Sequence, residues 1–165
     1  MSAAVIDAGP LIHLHEVGLL HHLAIFSTLH VPSEIWRETV GKLRVPERIL
    51  LNLGVRREAY LDDLAHFVET NNLGALHPGE QECLHACRSE NISILLTDDL
   101  AARDAAKRLD ITLVGSLGII VRAYSVGRLE LNEVEDAIRL LQTTSSLFVA
   151  SAIIELALEQ IRRAR

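Results

Sequence analysis

The sequence predicts an α/β fold, a three-layer α/β/α sandwich built around a central, mainly parallel sheet. Short apolar runs alternate along the chain with longer stretches of helical periodicity, which is the pattern of parallel strands joined by helices. The clearest run, residues 92–96, is apolar on both faces, as expected of a strand covered by helices on both sides. A length of 165 residues and a hydrophobic content of 49% suit one domain with a sizeable core.

Four short runs are predicted to be the strands of this sheet. They are residues 3–6, 28–31, 92–96 and 111–114. Turn-forming or acidic residues follow the first and third runs, and helical patterns follow after them. In such folds ligands bind outside the carboxyl ends of the strands, so the residues that follow each run are the first candidates for a functional site.

The stretches between the strands are predicted to be helical. In chain order they are residues 11–16, 19–25, 34–43, most of 44–72, 78–90, 100–109, 117–124, 130–141 and 145–165. The last stretch is amphipathic, with Leu147 and Phe148 among its apolar positions. We expect residues 1–128 to form the main domain. Residues 129–165 would be a C-terminal helical extension packed on that domain or on a partner.

Composition limits the function in several ways. The net charge of −6 excludes a chain that coats nucleic acid through an overall basic surface, and an aromatic content of 4% argues against a base-stacking surface. Cys83 and Cys87 lie one helical turn apart, which favours small core hydrophobes in a reducing compartment. No secretory leader and no membrane span is expected, so the sequence predicts a soluble cytoplasmic protein.

Acidic residues follow two of the predicted strands. Asp7 comes directly after the first strand, and Asp98 and Asp99 come shortly after the third. If both strands are parallel members of one sheet, their carboxyl ends share an edge, and these carboxylates lie close together. The alternative is that each aspartate only caps the helix that follows it.

The helix predicted at residues 78–90 adds a further acid. Its periodicity places Glu80 on the inward stripe with Cys83 and Cys87, and places Glu82 on the outward face with His85. A carboxylate on an inward stripe needs a reason, because buried acids are rarely unpaired. A favourable interaction with the helix N-terminus is one explanation, and a metal ligand is the other.

Two glutamates compete on the helix predicted at residues 34–43. Glu34 lies nearly opposite the apolar stripe of that helix, whereas Glu38 lies nearer its flank. Helical geometry therefore favours Glu38 as the residue directed towards a site. An ordinary exposed charge remains the alternative.

Several carboxylates gathered at one edge would repel one another, and a divalent cation relieves that repulsion. Oxygen ligands of this kind suit Mg²⁺ or Mn²⁺. Such an ion can lower the pKa of a bound water and stabilise charge on a phosphodiester, so no serine or histidine nucleophile is needed. The acidic residues therefore point to metal-dependent hydrolysis.

Four short stretches resemble the motifs of PIN domains, in the same order. Residues 5–12 (VIDAGPLI) resemble the opening strand with its first acid, and residues 31–38 (VPSEIWRE) resemble the second motif, which closes on the functional acid. Residues 77–80 (HPGE) resemble a Gly-Glu motif of a subfamily related to the VapC-type toxin ribonucleases. Residues 95–103 (LLTDDLAAR) resemble the Thr-x-Asp strand end with its following arginine.

This resemblance implies a Mg²⁺- or Mn²⁺-dependent endoribonuclease with toxin-like character. RNA would be the substrate, and a homodimer and an antitoxin-like protein partner are expected. The implied catalytic residues are Asp7, Glu38, Glu80, Asp98 and Asp99. Among them the implied metal ligands are Asp7, Glu80 and Asp99, and the implied substrate-binding residues are Thr97 and Arg103.

One departure from the family pattern keeps a second function open. Many VapC-type proteins carry another acid two residues after the Thr-x-Asp acid, and this chain has Ala101 there. Asp98 could stand in for the missing acid. A PIN-like scaffold that binds a protein or RNA without cleaving it is the alternative to the nuclease.

Other candidate sites are weaker. The pairs His13/His15 and His21/His22 lack the i,i+4 spacing of helical zinc ligands, and no cysteine lies near either pair in sequence. A haloacid-dehalogenase-like phosphatase needs Asp-x-Asp after its first strand, which is absent here. A response-regulator receiver needs an acidic pair near its first strand, and the pair in this chain comes late.

Overall fold

A five-stranded sheet with every strand parallel forms the centre of the computed structural model, which describes residues 1–164. The strand order is β3-β2-β1-β4-β5. The strands are β1 (Ala4–Ile6), β2 (Leu29–Pro32), β3 (Arg56–Glu58), β4 (Ile94–Leu96) and β5 (Thr112–Val114). The predicted α/β class and parallel sheet are confirmed.

Helices occupy most of the remaining chain. They are α1 (Ala8–Glu16), α2 (Ser33–Thr39), α3 (Glu47–Asn52), α4 (Leu64–Thr70), α5 (Pro78–Ser89), α6 (Arg103–Arg108), α7 (Ser116–Ser125), α8 (Leu131–Thr144) and α9 (Ser151–Arg163). Residues Leu20–Ile25 form a 3₁₀ helix. Within residues 1–164, no helix has both the length and the apolar character needed to cross a bilayer.

The helices form a layer on each face of the sheet. Helix α5 packs across β1, β2 and β4, while α1, α7 and α8 pack against one another. The chain moves outward from β1 to β2 in one direction and from β4 to β5 in the other. Right-handed crossovers therefore place the connecting helices on opposite faces. Because both faces are covered, all three residues of β1 are buried, which explains the continuous apolar run in the sequence.

The edge strand β3 was missed, since residues 44–72 were predicted to be mostly helical. In the structure α3 and α4 flank a short strand whose three residues, Arg56 to Glu58, are all exposed. It pairs in parallel with β2, with Val31 opposite Arg57. Charged residues are common on edge strands because they discourage pairing with other chains, and they also remove the apolar signal by which a strand is recognised.

Several predicted helices are displaced at their ends. Helix α1 begins at Ala8 rather than at residue 11, because Asp7 caps it. Helix α2 ends at Thr39, and α6 begins only at Arg103. The predicted terminal helix at residues 145–165 begins at Ser151, so Leu147 and Phe148 belong to the segment before it.

The C-terminal helices pack on the rest of the chain. Helix α8 contacts α1 and α7, and α9 contacts α8. Ile154, Leu158 and Ile161 of α9 are buried. The predicted extension therefore covers its own chain, while the domain boundary at residue 128 stays a prediction.

Strand register brings the residues that follow β1, β4 and β5 to one edge of the sheet. Ile6 lies opposite Leu96, and Leu96 lies opposite Val114. The residues that come next, Asp7 and Thr97, continue the pairing, since the Asp7 N–H donates to the Leu96 carbonyl at 2.9 Å. The carboxyl ends of β1, β4 and β5 thus place their following residues side by side.

Candidate active site

A cavity of about 610 Å³ opens at this carboxyl edge of the sheet. All five acids implied as catalytic line it, although they come from four separate parts of the chain. They are Asp7, Glu38, Glu80, Asp98 and Asp99. We call this cavity the acidic cleft.

Asp7 sits at the end of β1 and serves two roles at once. One carboxylate oxygen accepts from the Ala8 N–H at 2.7 Å, which caps α1, and the other accepts from the Thr97 hydroxyl at 2.8 Å. Burial raises the pKa of the Asp7 carboxyl against the lowering effect of these two hydrogen bonds, and the charges of Asp99 and Asp98 raise it further. The capping interpretation is therefore correct, but it does not remove Asp7 from the cleft.

Thr97 connects the acids of the two strands. Its hydroxyl donates to Asp7 and accepts from the Asp99 N–H at 3.1 Å, and its side chain is buried. Asp99 itself is exposed, with one carboxylate oxygen accepting from the Ala101 N–H at 2.8 Å. The hydroxyl that was expected to bind substrate thus holds Asp7 and Asp99 in register, and its role towards substrate stays a prediction.

Glu80 lies in the first turn of α5 and is 6% exposed. Its carboxylate accepts from the His77 N–H at 3.0 Å, half of a capping box at the start of the helix. Burial raises the pKa of Glu80, and the nearby carboxylates of Asp99 and Asp7 also raise it, against the lowering effect of the His77 N–H. The inward position predicted for Glu80 is what the structure shows.

Glu38, rather than Glu34, is the acid that α2 directs into the cleft. Burial raises the pKa of Glu38, and the charges of Asp7 and Glu34 raise it further. Glu34 instead forms a salt bridge with Arg37 on the outer side of the helix, and that hydrogen-bonded pair lowers the pKa of Glu34. The weak preference for Glu38 from the helical wheel agrees with this geometry.

Gly79 allows the first turn of α5 to approach α2. A methyl group at this position would lie 3.0 Å from Ile35 Cδ1 and 3.3 Å from Glu38 Oε1. Both distances are tighter than ordinary van der Waals contact, so a side chain here would displace the core or the acid. The glycine before Glu80 therefore has a packing reason, which is to bring Glu38 and Glu80 to one cleft.

Asp98 differs from the other acids of the cleft. Its carboxylate accepts three short hydrogen bonds, each of 2.6 Å, from the Ser116 N–H, the Ser116 hydroxyl and His13 Nδ1. The Ser116 bonds place a negative charge at the N-terminus of α7, where it is favourable. With both oxygens engaged, Asp98 ties the end of β4 to α1 and α7.

A close backbone approach supports this tie. A methyl group on Gly115 would lie only 2.9 Å from Asp98 Oδ1. Cβ atoms in proteins essentially never lie so close to another heavy atom. The small residue before α7 therefore lets Asp98 reach the helix terminus. His13, weighed from sequence only as a zinc candidate, is the third partner of this carboxylate.

The predicted outward position of Glu82 is wrong. Glu82 is 1% exposed, and its carboxylate accepts from the Ser33 N–H at 3.1 Å, the Ser33 hydroxyl at 2.7 Å and the Glu34 N–H at 2.8 Å. The Tyr60 N–H also donates to it, at 3.0 Å. Glu82 thus caps α2 from a neighbouring helix, because α5 is covered on a wider face than one inward stripe.

Within the described residues, no three acids of the cleft bring possible ligand atoms within 4.8 Å of one another. Among the described residues, one group of three possible ligands has its atoms within 4.8 Å of one another, and it lies elsewhere. It comprises His30, Glu58 and Glu90. The Tyr60 hydroxyl lies 2.8 Å from His30 Nδ1 and 3.3 Å from each of the two carboxylates, so the group is a hydrogen-bonded cluster around Tyr60. It shares no residue with the acidic cleft.

The donor set of the cleft nevertheless fits a hard divalent cation. Asp7, Glu38, Glu80 and Asp99 offer only oxygen atoms, which Mg²⁺ and Mn²⁺ prefer. The pKa values of Asp7, Glu38 and Glu80 are all raised, by burial first and then by neighbouring carboxylate charges. A cation in the cleft would relieve that repulsion and draw the carboxylates together.

A second cavity, of about 530 Å³, adjoins the acidic cleft. Arg103 and Lys107 of α6 line it, together with Leu147 and Phe148, which also line the acidic cleft. Arg103, expected to bind substrate, therefore lies beside the acids and not among them. Its role stays a prediction.

Sequence analysis missed the C-terminal wall of the site. Ser146, Leu147 and Phe148 come from the segment between α8 and α9 and line the acidic cleft. The apolar pattern predicts Leu147 and Phe148 on the apolar face of an amphipathic terminal helix. The serine pair at residues 145–146 was the available signal, since such residues favour a break before a helix start.

Comparison with protein families agrees with this geometry. Residues 3–163 match the family model DUF3368, which is described as a PIN domain, a fold of metal-dependent nucleases. No curated protein and no solved structure matches the chain. The match includes every acid of the cleft and continues through α8 into α9. Over nearly its whole length, the chain belongs to the PIN-domain family.

Proposed function

We propose that the protein is a metal-dependent endoribonuclease that hydrolyses RNA phosphodiester bonds in the acidic cleft. The observation that carries the proposal is the convergence of Asp7, Glu38, Glu80 and Asp99 at one edge of the sheet. Ionised carboxylates this close together repel one another, and a bound divalent cation relieves that repulsion. Metal-dependent phosphodiester hydrolysis uses a cation held in this way.

The cleft residues divide into ligands and supporting groups. Asp7, Glu80 and Asp99 would hold Mg²⁺ or Mn²⁺, which when bound lowers the pKa of a water and offsets charge on the phosphate. Glu38 faces the same cleft with a pKa above its ordinary value, which makes its carboxylate a stronger proton acceptor than a free glutamate. Thr97 orients Asp7 and Asp99 through its hydroxyl.

Cleavage of several structured RNAs, each labelled at one end, tests this proposal directly. We expect internal cuts in Mg²⁺ or Mn²⁺ that disappear with a chelator. Glu38→Gln should lower kcat roughly 100-fold or more, since it removes a proton acceptor. Glu34→Gln is the matched control on the same helix, and it should lower kcat far less, because Glu34 pairs with Arg37 and acts on Glu38 only through its charge.

The scaffold hypothesis makes the opposite prediction. Ala101 leaves one family acid absent, and Asp98 is fully hydrogen-bonded to Ser116 and His13. If purified protein binds RNA but makes no metal-dependent cuts, the nuclease proposal is wrong and the scaffold is favoured. Equal loss of activity in the Glu34 and Glu38 variants would also contradict it.

We further propose a homodimer, with an antitoxin-like protein as a second partner. Exposed apolar side chains on α9, Ile153 at 50% and Leu156 at 51%, support an interface there. Arg56, Arg57 or Arg128 could then line a groove shared by two copies. Light scattering at tens of micromolar should give twice the mass of one chain, and the monomer mass would contradict the dimer.

A cytoplasmic location stays a prediction, and the cysteines support it. Cys83 and Cys87 are free and buried in α5. Burial raises the pKa of Cys87 to about 12 and raises that of Cys83 well above its usual value, so both act as apolar core groups. Unpaired cysteines suit a reducing compartment.

A further inference from the structure

Phe148 stands apart from the other large aromatic side chains of the protein. It is 90% exposed, whereas Phe26, Phe67, Trp36 and Tyr60 are each less than one-tenth exposed and Tyr124 is partly buried. A large apolar ring held in water forgoes the free energy that burial would give it. The position of Phe148 therefore needs a reason other than packing.

The segment that carries Phe148 is anchored rather than loose. The Ser146 N–H and hydroxyl both donate to Glu16 Oε1, at 3.1 Å and 2.7 Å, which ties residues 146–148 to the end of α1. Leu147, beside Phe148, is half-buried against the core. The segment that carries the exposed Phe148 ring is therefore held in place by α1 and by the core.

The location of the ring links two cavities of opposite character. On one side Phe148 lines the acidic cleft, and on the other it lines the cavity that holds Arg103 and Lys107. Among the described residues in the wall of that second cavity, Asp98 is the one acid, and both its oxygens accept hydrogen bonds. The second cavity is therefore a cationic site with an apolar floor.

We propose that Phe148 stacks on an unpaired base of single-stranded RNA next to the bond that is cut. The inference rests on the proposed nuclease function and specifies its substrate. The phosphate chain would run from the acidic cleft towards Arg103 and Lys107, which offer the charge that phosphates need. A base inside a duplex cannot offer its face to a side chain, so the RNA must be single-stranded at this point.

The low aromatic content does not contradict this inference. Composition argued against a surface on which many bases stack, and the structure agrees, since four of the other five Phe, Trp and Tyr rings are buried and Tyr124 is partly buried. One exposed ring beside the reaction centre is enough to select one unpaired nucleotide. An apolar groove for a protein helix would not explain why cations line one side of the ring and carboxylates the other.

A base analogue gives a direct test. Single-stranded RNA decamers, each with one 2-aminopurine at a different position, would be bound to the full chain with Ca²⁺ in place of Mg²⁺. We expect fluorescence quenching at one position in the wild type and in Phe148→Trp. Phe148→Ala should lose the quenching and bind roughly 5- to 150-fold more weakly, the range for losing one base stack.

Matched controls separate stacking from other effects. Leu43→Ala removes an apolar side chain that is 93% exposed and lines neither cavity, and it should change neither quenching nor affinity. Arg103→Gln and Lys107→Gln should each lower the salt dependence of binding, by about 0.7 in log–log slope for each phosphate that is no longer neutralised, and should keep the quenching. Duplex RNA should not compete with the single strand.

The outcomes distinguish this inference from the nuclease proposal. Quenching that depends on Phe148 without any cleavage supports the inference and counts against the nuclease. Cleavage with the same affinity and quenching in wild type and Phe148→Ala overturns the inference and keeps the nuclease. No RNA binding by the wild type also overturns it. Loss of self-association in Phe148→Ala, with unchanged RNA affinity, would assign the ring to an interface between copies and overturn it as well.

Discussion

Two groups of carboxylates at the same end of the sheet have opposite environments. The anchoring carboxylates, Glu82 and Asp98, accept four and three hydrogen bonds and hold the N-termini of α2 and α7. In the cleft, Glu80 accepts one backbone N–H, and the pKa values of Glu38 and Glu80 are raised by burial and neighbouring charge. Burial alone therefore does not distinguish the two groups, whereas the number of hydrogen-bond donors around each carboxylate does.

The largest effect is expected in the free energy of unfolding, when Glu82 is substituted rather than Glu80, two residues away on α5. Glu82→Gln places an amide NH₂ among the N–H groups of Ser33, Glu34 and Tyr60, so donors that the carboxylate satisfied lose their acceptor. We expect the free energy of unfolding to fall by roughly 3–5 kcal/mol. Urea denaturation followed by circular dichroism measures it.

Glu80→Gln is the matched variant for that experiment. Its amide oxygen can still accept from the His77 N–H, and one of the repelling charges of the cleft is removed. We expect the metal-free protein to be as stable as wild type or slightly more stable. A larger loss of stability in Glu80→Gln than in Glu82→Gln would reverse the assignment of the two groups.

The next largest effect is the rise in Tm on metal binding, which should differ between variants of the neighbours Asp98 and Asp99. Mg²⁺ or Mn²⁺ at roughly 100 times its Kd should raise the wild-type Tm by about 5–10 °C, because a ligand that binds only the folded state stabilises it. Asp99→Asn and Asp7→Asn should lose most of that shift. Asp98→Asn should keep the metal-induced shift. Its metal-free Tm should be lower than that of the wild type, because weaker bonds to Ser116 and His13 should reduce the free energy of unfolding by about 1–3 kcal/mol.

Differential scanning fluorimetry with and without metal is sufficient for this comparison. If wild type and Asp7→Asn respond equally to metal, the cleft is not the binding site. If the metal response is lost in Asp98→Asn and kept in Asp99→Asn, the anchoring and cleft roles of this pair are exchanged.

The comparison also indicates where sequence reasoning succeeds. The strand-end position of Asp7 and Asp99 followed from apolar runs and the edge rule for parallel sheets, and the structure brings these residues together. The outward position predicted for Glu82 was wrong, because a helical wheel shows one inward stripe, whereas α5 also contacts α2 and α4. Strand β3 carries no apolar signal, and the exposure of Phe148 depends on where α9 begins.

The smallest expected effect is a dependence of stability on pH. Asp7, Glu38 and Glu80 have pKa values above their ordinary ones, so the folded state holds their protons more tightly than the unfolded state. Their contribution to stability is therefore full below the unfolded pKa values, near about 4, and is lost as the pH rises through the raised folded values. Metal binding needs the deprotonated forms, so its stabilising effect should grow over the same interval.

Comparison with Glu80→Gln isolates this effect from the titration of histidines elsewhere. Urea midpoints measured without metal from about pH 4 to about pH 7.5 should fall less steeply in the variant than in wild type. The advantage of the variant should therefore increase with pH. Parallel curves for the two proteins would show that Glu80 titrates in the folded state as it does in the unfolded chain.

The position of β4 beside β1 has a consequence for the synthesis of the chain. Asp7 and Thr97, joined by a hydrogen bond, are 90 residues apart in sequence. A ribosome needs roughly 5–20 s to translate that interval, and Phe148 emerges later still. If the chain cleaves RNA, its active site cannot assemble while most of the chain is still being made. The order of strands in the sheet would then delay activity during translation, so that the nascent chain does not cut the message from which it is read.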